Sequence, residues 1–328
     1  MDNSLVFGPV PSRRLGRSLG VNNIPYKYCT YSCIYCQIGR TLKYEINRRS
    51  FYPWEEIVKL VIKRVKDIGL DNIDYVTFVP DGEPTLDINL GKEINGTKAE
   101  IPVNIAVITN GSLLHLDDVR SDLYDADIVS IKVDAVTEDI FKKINRPHPE
   151  LNLDKILDGI KEFAKLFKSD IITETMLIEG INDKLEELEK IAKFISTLNP
   201  KKAYIAIPTR PPAEEWVKSP AEESILEAYK IFVEHLNEDQ VELLIGYEGA
   251  EFEDVSEDPV QGLLSIVSVH PMLLDYAYTF LMKKGLEPVE TIEKLLEEEK
   301  IVKIKYRDKY FILKKMTKGA HSQSPTQS

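Results

Sequence analysis

Short apolar runs alternate with longer stretches of helical periodicity through the first 250 residues. Runs at 19–24, 75–79, 103–109, 128–133, 171–177, 202–208 and 241–246 are rich in Val, Ile, Leu and Tyr and predict strands. Stretches at 54–68, 116–124, 153–167, 184–198 and 220–236 place their apolar residues on one helix face. Pro53 and Pro220 stand where a first helical turn accepts proline. Strands separated by helices of about 10–15 residues predict βαβ units and a parallel sheet. The expected fold class is α/β. A TIM-like βα barrel, complete or partial, suits the number of units better than a two-layer open sheet, although spacing by itself does not separate them.

The pattern changes after Asp258. Segments 260–269, 272–284 and 289–300 predict helices, with Gly285 as a stop. Two alternating runs, 301–306 and 309–314, flank Arg307-Asp308 and predict a hairpin. Three helices and a hairpin outline a small winged-helix-like domain. Its expected recognition helix carries Glu290, Glu293, Glu297, Glu298 and Glu299, a poor surface for phosphates, so DNA is not an expected partner. The expected division is a domain over 1–250, the winged-helix-like domain over 251–316, and a polar, disordered tail over 317–328.

Composition narrows the class. With 43% hydrophobic residues the 328-residue chain buries a large core and is not a disordered polymer. It holds no run of ~18 apolar residues, so no membrane span is expected. The opening MDNSLVFGPVPSRR lacks a secretory pattern, and three cysteines in so long a chain suit a reducing cytoplasm. The net charge of −12 argues against a general polyanion binder. Charge is uneven, however. The first fifty residues hold eight Lys or Arg against two acids, whereas 238–258 hold nine acids and no Lys or Arg.

The basic segment surrounds all three cysteines, Cys29, Cys33 and Cys36, spaced C-x3-C-x2-C. Three buried structural cysteines would not cluster so tightly with none elsewhere. A disulfide strands the third thiol. A structural zinc site wants four N or S ligands, and the nearest histidine is His115. A [4Fe–4S] cluster with three thiolates leaves one iron open to a ligand from outside the protein. An amino acid offering amine and carboxylate would chelate it. The loop after the first predicted strand would carry the site at the C-terminal mouth of the barrel.

The C-x3-C-x-aromatic-C run, with Tyr35 as the aromatic, resembles the signature of the radical S-adenosylmethionine (SAM) superfamily. The likeness covers roughly residues 5–250. The opening GPVPSRRLGRSLG and the winged-helix-like end resemble an iron–sulfur oxidoreductase subgroup of archaea and bacteria that supplies no settled substrate. The resemblance implies that Cys29, Cys33 and Cys36 bind three irons, that SAM chelates the fourth, and that Tyr35 lies near the adenine. Asp81-Gly82-Glu83 resembles the Gly-Gly-Glu motif whose backbone and acid receive the methionine amine, with Asp81 in place of the first glycine. Asn110 is a further expected contact. Lys132 would neutralise the methionine carboxylate, unless it simply pairs with Asp134. Asp134 would otherwise meet a ribose hydroxyl, as would Glu174. Arg146, His148 and Arg210 are expected to face the substrate.

The implied activity is reduction of the cluster, cleavage of SAM and generation of a 5′-deoxyadenosyl radical that abstracts hydrogen from a substrate. No cysteine remains for a second cluster or a thiyl mechanism. Arg13, Arg14 and Arg17 would hold phosphate, which leans toward a nucleotide or tRNA-like substrate or a cofactor precursor. The expected partner is an electron donor such as flavodoxin or ferredoxin. A redox-sensing or partner-binding iron–sulfur regulator is the competing expectation, distinguished by whether SAM is cleaved.

Overall fold

The computed structural model describes residues 5–246, 258–269 and 271–315. Residues 247–257 of the acidic stretch, the boundary expected at 250/251, and the 317–328 tail lie outside them.

The chain opens on a hairpin, β1 (Val6–Ser12) and β2 (Gly16–Val21), in antiparallel pairing. The cysteine loop follows, braced by a two-residue parallel ladder between β3 (Tyr28–Cys29) and β4 (Lys43–Tyr44). Then come α1 (Trp54–Ile68), β5 (Tyr75–Phe78), α2 (Leu90–Glu100), β6 (Asn104–Thr109), α3 (Asp117–Leu123), β7 (Ile128–Lys132), α4 (Glu138–Ile144), α5 (Leu153–Leu166), β8 (Asp170–Met176), α6 (Leu185–Ser196), β9 (Lys202–Ala206), α7 (Glu222–His235) and β10 (Val241–Leu244). Eight strands form one sheet in the order β1-β2-β5-β6-β7-β8-β9-β10, parallel from β2 onward. This is an α/β fold on a mostly parallel sheet.

The period of two sorts the side chains. Val129 and Ile131 of β7 join the large core under the helices, while Ile128 belongs to a second cluster with Leu15, Ala106, Ile172, Tyr204 and Leu244. The sheet curls. Val10 of β1 and Leu244 of β10, from its two edges, line one cavity. Arg13 Nη1 donates to the Gly246 carbonyl at 2.6 Å and ties the β1–β2 turn to the far edge.

Beyond residue 258 lie α8 (Pro259–Val269), β11 (Met272–Leu273), α9 (Leu274–Lys283), α10 (Pro288–Glu297), β12 (Ile301–Tyr306) and β13 (Lys309–Lys314), the strands ordered β11-β13-β12. The helix expected from Met272 starts two residues later, because Met272 and Leu273 pair with Ile312 and Phe311. These elements share a core with the first strand: Phe7 and Val10 pack with Leu263, Ile266, Phe280 and Ile312. The Tyr306 hydroxyl donates to the Pro208 carbonyl at 3.1 Å, and Arg307 reaches the Ser219 hydroxyl.

Candidate functional site

A cavity of about 320 Å³ lies at the C-terminal ends of the parallel strands, lined in part by Cys29, Cys33 and Cys36. Among the described residues no three His, Cys, Asp or Glu side chains converge to hold a single metal ion. The loop that carries the three thiols is held by backbone hydrogen bonds. Cys36 N bonds the Cys33 carbonyl and Gly39 N the Cys36 carbonyl, both at 3.1 Å. Ser32 N and Ile34 N bond the carbonyls of Asn145 and Ile144, which fastens the loop to the end of α4. Each sulfur has one side-chain N–H: Asn110 Nδ2 at 3.7 Å from Cys29 Sγ, Asn145 Nδ2 at 3.5 Å from Cys33 Sγ, and Lys27 Nζ at 3.4 Å from Cys36 Sγ. Burial, helped by the nearby Glu83 charge, pushes the Cys29 thiol up to about 12, and burial beside Asp134 raises Cys33. Both thiols therefore favour the neutral form until a cation arrives.

The Asp81-Gly82-Glu83 segment follows β5 and packs directly on this loop. A Cβ on Gly82 would fall 1.7 Å from the Tyr28 carbonyl oxygen, so only glycine allows this approach. Glu83 N donates to that same carbonyl at 3.1 Å. The Glu83 carboxylate is buried. Its Oε1 accepts from Thr85 N (3.2 Å), Thr85 Oγ1 (2.6 Å) and Thr109 Oγ1 (2.5 Å), and Oε2 accepts from Asn110 N at 2.8 Å. Burial raises this carboxyl, with those bonds opposing. Asn110 in turn reaches Thr30 Oγ1 at 2.7 Å as well as Cys29. Thr30, Thr85 and Thr109 are common residue types in loops and strand ends, with no sequence signal to single them out. Asp81 Oδ2 accepts from Asn22 Nδ2 at 3.0 Å, while Oδ1 is buried without a hydrogen-bond partner.

On the inner face Lys132 and Glu174 stand in register on β7 and β8. Glu174 takes the Lys132 ammonium on one oxygen and the Arg14 guanidinium on the other. Burial alone would raise its carboxyl, but those two cations overcome it and hold it at about 2. The carboxylate partner of Lys132 is thus Glu174, not Asp134. The ammonium also sits 5.5 Å from the centroid of the Tyr35 ring. Tyr35 lines the cavity and donates its hydroxyl to Asp134. Asp134 lies behind it, also accepting from Asn145 Nδ2 (2.7 Å) and Met176 N (2.9 Å), and is not among the cavity-lining residues.

The arginines separate. Arg13, Arg14 and Arg210 line the cavity, with Arg210 Nη1 donating to Gln37 Oε1 at 2.7 Å. Arg17 pairs with Asp74 at 2.8 Å near the opposite strand ends. Arg146 pairs with Glu214, together with Arg40, outside the cavity lining. His148 sits beside Tyr44, ring centroids 6.4 Å apart, also outside it. Lys27, in the lining, was not singled out by the sequence, where it is one more lysine in a basic loop.

Residues 23–195 match the radical SAM superfamily. A UPF0026 protein, MJ1312, of Methanocaldococcus jannaschii is 46% identical over 314 residues, 95% of this chain and 96% of that one. The GTP 3′,8-cyclase of Clostridium acetobutylicum is 32% identical over 158 residues, 47% of this chain and 46% of that one. In fold, the chain is similar to Streptococcus suis SuiB bound to S-adenosylmethionine, with a TM-score of 0.50 and 12% identity over 71% of this chain and 52% of that one. With the CxxxCxxC loop, the family match and the sequence relatives show that the chain belongs to the radical SAM superfamily, enzymes that use a [4Fe–4S] cluster and S-adenosylmethionine, and one relative over nearly its full length is a UPF0026 protein.

Proposed function

We propose that Cys29, Cys33 and Cys36 hold the cluster and that the rest of the cavity holds SAM and a substrate. The donor set fits: three thiols from one loop, no other cysteine in the chain, and one side-chain nitrogen donor within reach of each sulfur. The three-thiol loop, with a nitrogen donor at each sulfur, carries the assignment. When bound, cluster and SAM together supply reductive cleavage to a 5′-deoxyadenosyl radical that abstracts a hydrogen atom from the substrate. The protein's residues bind and orient. Glu83 Oε2 takes a single donor and keeps acceptor capacity for the methionine ammonium. Lys132 offers the cation for the methionine carboxylate, and Tyr35 a ring face for the adenine. Glu174, fixed by Arg14 and Lys132, presents a charged acceptor to ribose hydroxyls. Asn110 aligns the Cys29 side of the loop.

The curled, edge-open sheet reads as a partial TIM-like barrel, and 258–315 as a winged-helix-like unit whose hairpin braces the Pro208 loop at the cavity mouth. That intramolecular contact supports a role in holding the barrel's rim rather than in reading DNA. Arg13 and Arg210 at the cavity favour an anionic substrate, a nucleotide, RNA base or cofactor precursor; the cyclase relative's name points the same way. A flavodoxin or ferredoxin would supply the electron. No helix among the described residues is long and apolar enough to cross a membrane, and free thiols suit the cytoplasm. The test is anaerobic incubation of reconstituted protein with dithionite and SAM. Release of 5′-deoxyadenosine supports the enzyme; a cluster that never cleaves SAM marks a sensor.

A further inference from the structure

A buried lysine needs a partner, and only 2% of Lys27 is exposed. Among the described residues no carboxylate forms an ion pair with it. Its Nζ meets Cys36 Sγ at 3.4 Å and the Gly39 carbonyl. The backbone that aims it is pinned. Lys27 N donates to the Asp81 carbonyl at 3.0 Å, and its own carbonyl accepts from Leu42 N and Lys43 N at 3.3 and 3.0 Å. Its φ of 60° lies in the left-handed region that L side chains avoid, so these bonds hold a conformation the residue would not choose alone. The other two sulfurs receive neutral amides, from Asn110 and Asn145. One thiol of the three therefore faces a cation.

We propose that Lys27 is a positioning residue that sets the reduction potential of the cluster, by fixing a buried ammonium against the Cys36 sulfur. This rests on the cluster reading above. Hydrogen bonds to sulfur, net charge and burial are the levers that tune such potentials. Adding one electron makes the cluster more negative, so a fixed cation favours the reduced form, and low polarisability strengthens the effect. The cation eases the uptake of an electron that a solvent-exposed or apolar neighbour would leave harder to take.

The test is a mediated redox titration of the full chain, followed by the EPR signal of the reduced cluster, with dithionite as reductant. Iron and sulfide per chain are measured in parallel. K27M and K27Q are expected to bind a cluster whose reduced-to-oxidised ratio at a fixed potential is about tenfold lower, a shift of about 59 mV for one electron. K27R, which keeps charge and donor, stays near the wild type. A K27Q or K27M cluster at wild-type potential overturns the proposal. So does loss of the cluster in every variant, K27R included, which would make Lys27 a structural tie to Gly39. Wild-type protein that binds no iron overturns the cluster reading itself, a distinct failure.

Discussion

Lys132 on β7 and Glu174 on β8 are register partners and form a buried ion pair facing the cavity. Arg14 closes the group from the β1–β2 turn. Replacing Glu174 by Gln leaves two largely buried cations uncompensated. The cost is expected at the low end for broken buried pairs, about 3 kcal/mol, because both cations keep some water contact. Urea denaturation at pH 7 measures it. The pH dependence has a definite sign. The Glu174 carboxyl sits at about 2 in the fold against 4.5 unfolded. Its contribution is present above about pH 4.5 and is lost as pH falls toward 2, and E174Q lacks that dependence.

Gly82→Ala places a methyl on the Tyr28 carbonyl, and backbone cannot step aside as a flexible side chain can. The expected cost is about 3 kcal/mol or more, the upper range for overpacking. The cysteine loop is the part displaced, so iron per chain after reconstitution falls more steeply than helix content by circular dichroism.

Asp81 behaves in the opposite sense from Glu174. Burial raises its carboxyl to about 7, against Asn22 and the charges of Lys27 and Lys314. Folded protein therefore binds a proton that unfolded protein releases near pH 4. Stability from this group is full below about pH 4 and is lost as pH rises to about 7. D81N is expected to flatten the denaturation midpoint across that window and to exceed the wild type at pH 8 by about 1 kcal/mol or more. A D81N midpoint that tracks the wild type at every pH would place the proton elsewhere.

Phe7 and Val10 have their core partners in α8, α9 and β13. A chain ended before Pro259 exposes them along an edge strand, so it is expected to aggregate rather than yield a folded monomer. Y306F is the milder probe. It removes the bond to Pro208, costs about 1 kcal/mol, and speeds amide exchange in the loop carrying Thr209 and Arg210.

What the sequence made legible follows from periodicity. The parallel strands from β5 to β10 and the long amphipathic helices carry strong patterns, and each is found within a few residues of its expected place. β1 was hidden because Pro9 and Pro11 speak against a strand, yet an edge strand tolerates both. α2 was hidden by its polarity and by Gly91, which lies where a Cβ would be 2.6 Å from Asp122 Oδ1. The three cysteines were legible as one C-x3-C-x2-C run with no other cysteine in the chain. Lys27 and the threonines around Glu83 were not, since their roles arise from tertiary approach: the loop after β5 meeting the loop after β2. The pairing of Lys132 depended on register between β7 and β8, which alternation within a strand cannot supply.

Three thiolates are expected to hold four irons and to leave one of them for SAM. Mössbauer spectra of anaerobically ⁵⁷Fe-reconstituted protein, with and without SAM, test it most directly. The expected spectra show four irons per chain, one of them distinct and shifted on adding SAM, and none retained once Cys29, Cys33 and Cys36 are all replaced by Ala. Iron that persists in that variant, or four irons indifferent to SAM, would contradict it.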